Sequence, residues 1–241
     1  MRYWLVMPAA GVGRRFGSAM PKQYAPLLGR TVIEWALAPF LADPSCAGVS
    51  ISLAADDPYW GEVAERLAKR PGPTPEIILA GGGVERSHSV RQGLEALANR
   101  ATVDDWVLVH DAARPCLSAA DLQHLLERLG AHRVGGILAT PASDTLKRAT
   151  AADPSIDQTV DRAGLWRALT PQMFRYKMLC DALDHALAGG RLPTDEAQAL
   201  EWMGEHPALV QGSAANIKIT SADDLVLAAA LLNAREAGSL E

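Results

Sequence analysis

The chain has 241 residues, 49% apolar and 21% charged, with a net charge of −5. That length suits one large α/β domain or two small ones, and the acidic balance excludes a general nucleic-acid surface. Any phosphate site must be a local basic cluster on an acidic body. The three cysteines, Cys46, Cys116 and Cys180, have no C-x-x-C spacing. This excludes both a zinc site and a disulfide framework and suits a reducing cytoplasm. No apolar run reaches membrane-spanning length. The N-terminal apolar run is broken by Pro8, and its arginines follow it rather than precede it, so it is not a secretory signal.

Tyr3 to Met7 predicts a short buried strand. After Pro8 the chain turns to small residues (Ala9, Ala10, Gly11, Gly13) and then to Arg14, Arg15 and Pro21-Lys22. A buried strand opening into a glycine-rich turn brings backbone N–H groups against a phosphate. Gly11 and Gly13 permit positive φ and close approach, and three cations neutralise a polyphosphate. The dinucleotide fingerprint fails because the third glycine, Gly17, comes one position late; the G-x-x-x-x-G-K-[ST] run of the P-loop is missing. The expectation is a triphosphate loop at the carboxyl end of the first strand of an open α/β sheet.

Thr31-x-x-Glu34 predicts a capping box before a helix over Val32–Leu41. Gly48–Ala54 reads as the second strand, Pro58 to about Arg70 as a helix, and Glu76–Ala80 as the third strand. The proline-rich connector 71–75 is too short for a domain linker. Gly81-Gly82-Gly83 then precedes Glu85-Arg86-Ser87-His88-Ser89 and a helix from about Ser87 to Asn99. This repeats the logic of the first loop, with backbone N–H groups and hydroxyls facing a ligand. Trp106–His110 is a buried strand ending in Asp111-Ala112-Ala113-Arg114-Pro115. A carboxylate at the carboxyl end of a central strand sits where open sheets bind ligands, and its oxygens suit Mg²⁺. His110 reads as a satisfied interior histidine.

Ser118-x-x-Asp121 caps a helix to about Leu129, and Val134–Thr140 is a further strand. Ser143–Arg148 and Thr159–Arg162 then read as two short strands around a tip at Ala151–Ile156, a polar arm of about 141–169 that leans on a partner chain. Arg167–Gln172 returns to the body. Helices follow at Tyr176–Ala188 and Asp195–Glu205, strands at Leu209–Val210 and Ile217–Ile219, and a helix capped by Ser221-x-x-Asp224 to about Glu236, with no second domain expected beyond. The predicted fold is α/β: a single Rossmann-like domain with a twisted, mostly parallel sheet, helices on both faces and a projecting β-arm.

The stretch PAAGVGRR…PKQY, with HDAARP and NIKIT later in the chain, resembles the family of 2-C-methyl-D-erythritol 4-phosphate cytidylyltransferases over nearly the whole length. The resemblance implies a cytoplasmic homodimer that takes CTP and a sugar-alcohol phosphate, with Mg²⁺ or another divalent ion held either by Asp111 or by the triphosphate alone. It puts Pro8, Ala9, Ala10, Gly11, Gly13, Arg14, Gly82, Gly83, Ser89, Asp111 and Ala112 on the nucleotide. Arg114, Thr145, Arg162, Thr194 and Lys218 fall on the acceptor, with the arm exchanged across the dimer. Arg15, Lys22, Arg162 and Lys218 are the catalytic candidates. Where the family usually has acids, this chain has Val84 and Ala215. The nearest rival is a ribitol 5-phosphate cytidylyltransferase. A glycosyltransferase is disfavoured because Asp56-Asp57 and Asp104-Asp105 lack the Asp-x-Asp spacing. A non-catalytic nucleotide-binding module has no use for the four cations.

Overall fold

The computed structural model describes residues 1–11, 20–72, 74–150 and 155–238. Its centre is strand β1 (Tyr3–Pro8), whose side chains are buried on both faces, as a central parallel strand requires. Alternation divides them between two cores. Tyr3, Leu5 and Met7 meet one layer of helices: α1 (Val32–Ala42), α2 (Trp60–Ala68) and α4 (Ala119–Leu129). Trp4 and Val6 meet the other: α3 (Arg86–Glu95), α5 (Tyr176–Ala188) and α6 (Glu196–Glu201). A third, smaller cluster seats α7 (Ala222–Glu236) against Leu27, Val32 and Cys116.

The remaining strands are the short pair β2 (Pro26–Leu27) and β3 (Arg30–Thr31), then β4 (Cys46–Leu53), β5 (Glu76–Gly81), β6 (Trp106–Val109), β7 (Gly135–Pro141), β8 (Leu146–Ala149), β9 (Ile156–Val160), β10 (Trp166–Arg175) and β11 (Ala208–Gln211). Among the described residues the main sheet has seven strands in the order β11-β7-β10-β6-β1-β4-β5. All neighbours run parallel except β10, which is antiparallel to both β6 and β7. The chain leaves β1 toward β4 on one side and later places β6 on the other. The switch point therefore lies at the carboxyl ends of β1 and β6, where open sheets leave a crevice.

The helix starts follow the sequence signals. The Thr31 N–H donates to Glu34 at 2.8 Å, the Asp121 N–H to the Ser118 hydroxyl at 3.0 Å, and the Ser221 N–H to Asp224 at 2.8 Å. Several expectations need correction. The helix placed over Asp195–Glu205 spans only Glu196–Glu201, after which the chain turns. Ile217–Ile219 is not a strand: its backbone bonds locally, and the Ile219 N–H donates to the Ala113 carbonyl at 2.8 Å. The helix placed over Ser87–Asn99 ends at Glu95, where the chain tightens into turns. The return segment read at Arg167–Gln172 is part of the ten-residue β10.

The arm forms as a hairpin of β8 and β9, which among the described residues pair antiparallel only with each other. Its strands lie later and earlier than the sequence suggested, and Ile156 belongs to β9 rather than to the tip. It leaves the sheet where β7 ends and β10 begins, at the same edge as the switch point, with Pro141 opposite Trp166. It is also less polar than expected. Leu146, Ile156, Leu165 and Trp166 are all exposed, Ile156 by 67%.

Candidate active site

A cavity of about 510 Å³ opens at the switch point. One wall is the exit of β1, with Pro8, Ala9, Ala10 and Gly11. The Gln23 amide holds that wall in place, donating to the Ala9 carbonyl at 2.6 Å and the Gly11 carbonyl at 3.1 Å. Gly11 borders open space but does not adopt the positive φ its glycine suggested. Gly13, Arg14 and Arg15 lie outside the described residues.

The facing wall is the loop after β5. Here a glycine is needed for proximity rather than for dihedral freedom. A Cβ at Gly82 would collide with the Ala10 side chain and lie 2.9 Å from the Leu53 carbonyl. The missing side chain brings the two loops together. Gly83 and Ser89 line the cavity. The Ser89 hydroxyl accepts from the Gly83 N–H at 3.1 Å and donates to the Glu85 carbonyl at 3.3 Å, so it shapes the loop as well as facing the cavity. Val84 is 94% exposed at the rim.

The cavity head is the run after β6. Asp111 and Ala112 line it, and Asp111 is buried among cations. Its Oδ1 accepts from Arg86 Nε at 2.9 Å, its Oδ2 lies 2.8 Å from Lys218 Nζ, and Arg114 Nε stands at 3.6 Å. Burial alone would raise the Asp111 carboxyl; Arg86, Lys218 and Arg114 outweigh it and hold it well below the usual carboxylate range. Lys218 reaches this point because its segment is pinned. Arg114 Nη1 donates to the Asn216 carbonyl and the Asn216 amide to the Thr170 carbonyl, both at 2.7 Å. Lys22 lines the same cavity, and its Nζ donates to the Ile219 carbonyl at 2.7 Å.

A second cavity of about 230 Å³ adjoins the first, and Arg86, Asp111 and Lys218 border both. The second also takes in Arg114 and Thr194. Thr145 and Arg162 border neither. They sit exposed on the arm, where the Arg162 guanidinium donates to the Ser143 carbonyl.

Two residues of the cluster escaped the sequence reading. Arg86 reads in the sequence only as part of a helix-start run, and Glu196 belongs to the Thr194-Asp195-Glu196 run, which caps a helix and matches a substrate-side motif of the resembling family, without any sign that the two meet. Yet Glu196, only 1% exposed, accepts both ends of the Arg86 guanidinium, at 2.6 and 3.1 Å. Burial pushes the Glu196 carboxyl up, and Arg86 opposes that shift. Losing Arg86 alone would leave an uncompensated buried charge, a cost of about 3–5 kcal/mol.

His110 is the interior residue expected. Its Nε2 lies 3.1 Å from the Arg114 carbonyl, which only accepts, so Nε2 carries the proton. Its Nδ1 then accepts from the Thr170 hydroxyl at 2.9 Å, and that hydroxyl accepts the Asp111 N–H at 3.1 Å. Complete burial lowers its pKa to about 4. A depressed histidine leaves the folded state uncharged while the unfolded chain takes up a proton below about pH 6.5. Stability is therefore expected to fall as pH drops from about 6.5 toward 4, by at most about 3 kcal/mol from this group. His110→Gln should flatten that part of a urea-melt pH profile; an unchanged slope would remove His110 as its source.

Sheet order, a crevice at the switch point and cations converging from separate loops define an α/β protein built to bind a nucleotide or another phosphate. Comparison narrows this. The model of the family "2-C-methyl-D-erythritol 4-phosphate cytidylyltransferase" matches residues 3–234. The protein of that name from Halorhodospira halophila is 52% identical, over 99% of this chain and 97% of its own; that from Vibrio vulnificus is 50% identical, over 92% and 91%. Among solved structures, a 4-diphosphocytidyl-2C-methyl-D-erythritol synthase superposes with a TM-score of 0.81 at 35% identity, covering 96% of this chain and 98% of its own. The Francisella tularensis 2-C-methyl-D-erythritol 4-phosphate cytidylyltransferase gives 0.80 at 33%, covering 96% and 100%. The chain belongs to the 2-C-methyl-D-erythritol 4-phosphate cytidylyltransferase family.

Proposed function

We infer that the protein transfers the cytidylyl group of CTP to 2-C-methyl-D-erythritol 4-phosphate, giving 4-diphosphocytidyl-2-C-methyl-D-erythritol and pyrophosphate, a step of non-mevalonate isoprenoid synthesis. The observation that carries this reading, beside the family match, is the pair of adjoining cavities that share Arg86, Asp111 and Lys218. CTP occupies the larger, its base and ribose against Gly83 and Ser89 and its triphosphate along Ala9–Gly11; Gly82 sets the approach of the two loops, and the roles of Gly13 and Arg14 rest on the sequence and the resemblance alone. The acceptor occupies the smaller, against Arg114 and Thr194.

The reaction needs no general base, because the attacking phosphate is already an anion. Two anions must be brought together while charge grows on the α-phosphate and the departing pyrophosphate. Catalysis is thus positioning and electrostatic stabilisation. Lys22 and Arg15 stabilise the triphosphate side. Lys218, on the border of both cavities, draws the acceptor phosphate into line with the α-phosphorus.

Asp111 borders both cavities, with Glu85 lining the larger and Asp195 the smaller, and among the described residues no group of three or more His, Cys, Asp or Glu gathers to hold a metal. With Arg86 and Lys218 each taking one lone pair, the Asp111 carboxylate keeps others free. That fits Mg²⁺, which takes one or two carboxylates and completes its shell from phosphates and water. Bound there, the ion would neutralise charge on the triphosphate. Activity is expected to vanish in EDTA and return with Mg²⁺; undiminished rates in EDTA would remove the metal.

The exposed arm supports a homodimer in which Thr145 and Arg162 reach the neighbour's acceptor pocket, since a lone two-stranded ribbon is marginal in water and this one exposes Leu146 and Ile156, with Leu165 and Trp166 exposed at its base. Among the described residues no helix is long and apolar enough to cross a membrane, and the reading places the enzyme in the cytoplasm. The specificity is tested by offering CTP, UTP and ATP with either methylerythritol phosphate or ribitol 5-phosphate and weighing the products. CTP with methylerythritol phosphate should dominate. Equal turnover of UTP or ATP, or preference for ribitol 5-phosphate, would overturn it.

A further inference from the structure

Local helix structure does not account for the inward turn of Arg86 and Glu196. Arg86 opens α3, and a cation at a helix N-terminus faces the unfavourable end of the dipole. Glu196 opens α6, but the cap there is already made by Asp195, which accepts from the Gln198 N–H at 2.9 Å. An exposed glutamate would suit that dipole equally well without losing its hydration. Instead both side chains turn inward. Nor does Asp111 lack charge partners, since Lys218 and Arg114 flank it. What Arg86 adds is direction: a planar fork whose Nε donates to Oδ1 at 2.9 Å, whereas Lys218 ends a flexible stem and Arg114 Nε is at 3.6 Å.

We propose that Glu196 and Arg86 form a paired positioning unit for Asp111. Glu196 binds the Nη1–Nη2 side of the guanidinium, which leaves Nε to fix the Asp111 carboxylate on the border of the two cavities. This rests on the reading of Asp111 as the carboxylate of the transfer site. Released from Glu196, the fork would turn fully onto Asp111 or onto the triphosphate, and either movement takes the carboxylate out of line.

The test is a double-mutant cycle of Glu196→Gln with Asp111→Asn. Single-turnover pyrophosphate release, CTP affinity by calorimetry and the thermal melt are read for each protein. Glu196→Gln keeps shape and removes charge. It should lower the rate about 10–100-fold in the wild-type background, the scale of outer-sphere partners, with the Kd for CTP within about threefold. In the Asp111→Asn background the same change should cost less than about threefold. Equal losses in both backgrounds would mean that Glu196 does not act through Asp111. A Kd for CTP that rises as much as the rate falls would make Arg86 a direct nucleotide contact; that outcome, or no loss at all, overturns the proposal. If Glu196→Gln does not fold, the charge-neutral pair Arg86→Gln/Glu196→Gln takes its place in the cycle, with the same expectation. Failure of the functional reading is separate, since it would show as a wild-type enzyme that releases no pyrophosphate from CTP and methylerythritol phosphate.

Discussion

Lys22→Ala is expected to lower kcat by about 100-fold or more while the Kd for CTP rises only a few-fold. The lysine follows the first loop and lines the large cavity. Its Nζ is anchored on the Ile219 carbonyl, next to the backbone that carries Lys218. The two lysines of the site are therefore fixed by one short segment. In the proposed complex the nucleotide is also held by its base, its ribose and the backbone of the Ala9–Gly11 loop, which the substitution leaves in place. A charge that matters most as negative charge grows on the departing pyrophosphate shows in kcat rather than in binding, and one preorganised donor of this kind is worth about 10²–10³-fold. Lys22→Arg should restore little, because a planar fork replaces a point charge. Arg15→Ala should behave like Lys22→Ala; that expectation rests on the sequence, as Arg15 lies outside the described residues. Near-normal kcat, or a loss confined to the Kd for CTP, would contradict the role.

Arg162→Ala is expected to raise the KM for methylerythritol phosphate and lower kcat, with CTP binding nearly intact. The combined loss in kcat/KM should reach about 30-fold or more, the scale of about 2 kcal/mol of charged hydrogen bonding. Yet Arg162 borders neither cavity of its own chain and occupies an exposed arm. The proposed homodimer reconciles the two: the arm completes the partner's acceptor pocket. Co-expressed Lys22→Ala and Arg162→Ala chains then form heterodimers with one intact site and one doubly damaged site. Random pairing restores up to about a quarter of wild-type activity. No recovery in verified heterodimers would mean that each site is built within one chain.

Much of this was legible in the chain because the relevant signals are local. Capping boxes at Thr31 and Ser221 and the cap at Ser118 marked helix starts through side chain to backbone bonds made within three residues. Buried strands that end in glycine or in Asp111 marked the sheet edge that carries the site. Sequence reading failed where the deciding partner was distant. Arg86 and Glu196 are 110 positions apart, so each looked like helix-terminus composition. The segment 217–219 has the apolar look of a strand, but its neighbour is the Ala113 carbonyl rather than a ladder. Strand β10 contains Pro171 and Gln172, which locally suggest a loop; only pairing with β6 and β7 on both sides makes it a strand. Gly82 reads in the sequence as part of a ligand-facing glycine turn, and only the closeness of Ala10 shows that absence of a side chain is what the position needs.

The most direct measurement of the central claim is pyrophosphate release by the wild-type protein with Mg²⁺, with CTP alone, methylerythritol phosphate alone, and both. The account predicts release only with both, one pyrophosphate for each 4-diphosphocytidyl-2-C-methyl-D-erythritol formed. Release from CTP alone at a comparable rate, or none with the two substrates together, would contradict it.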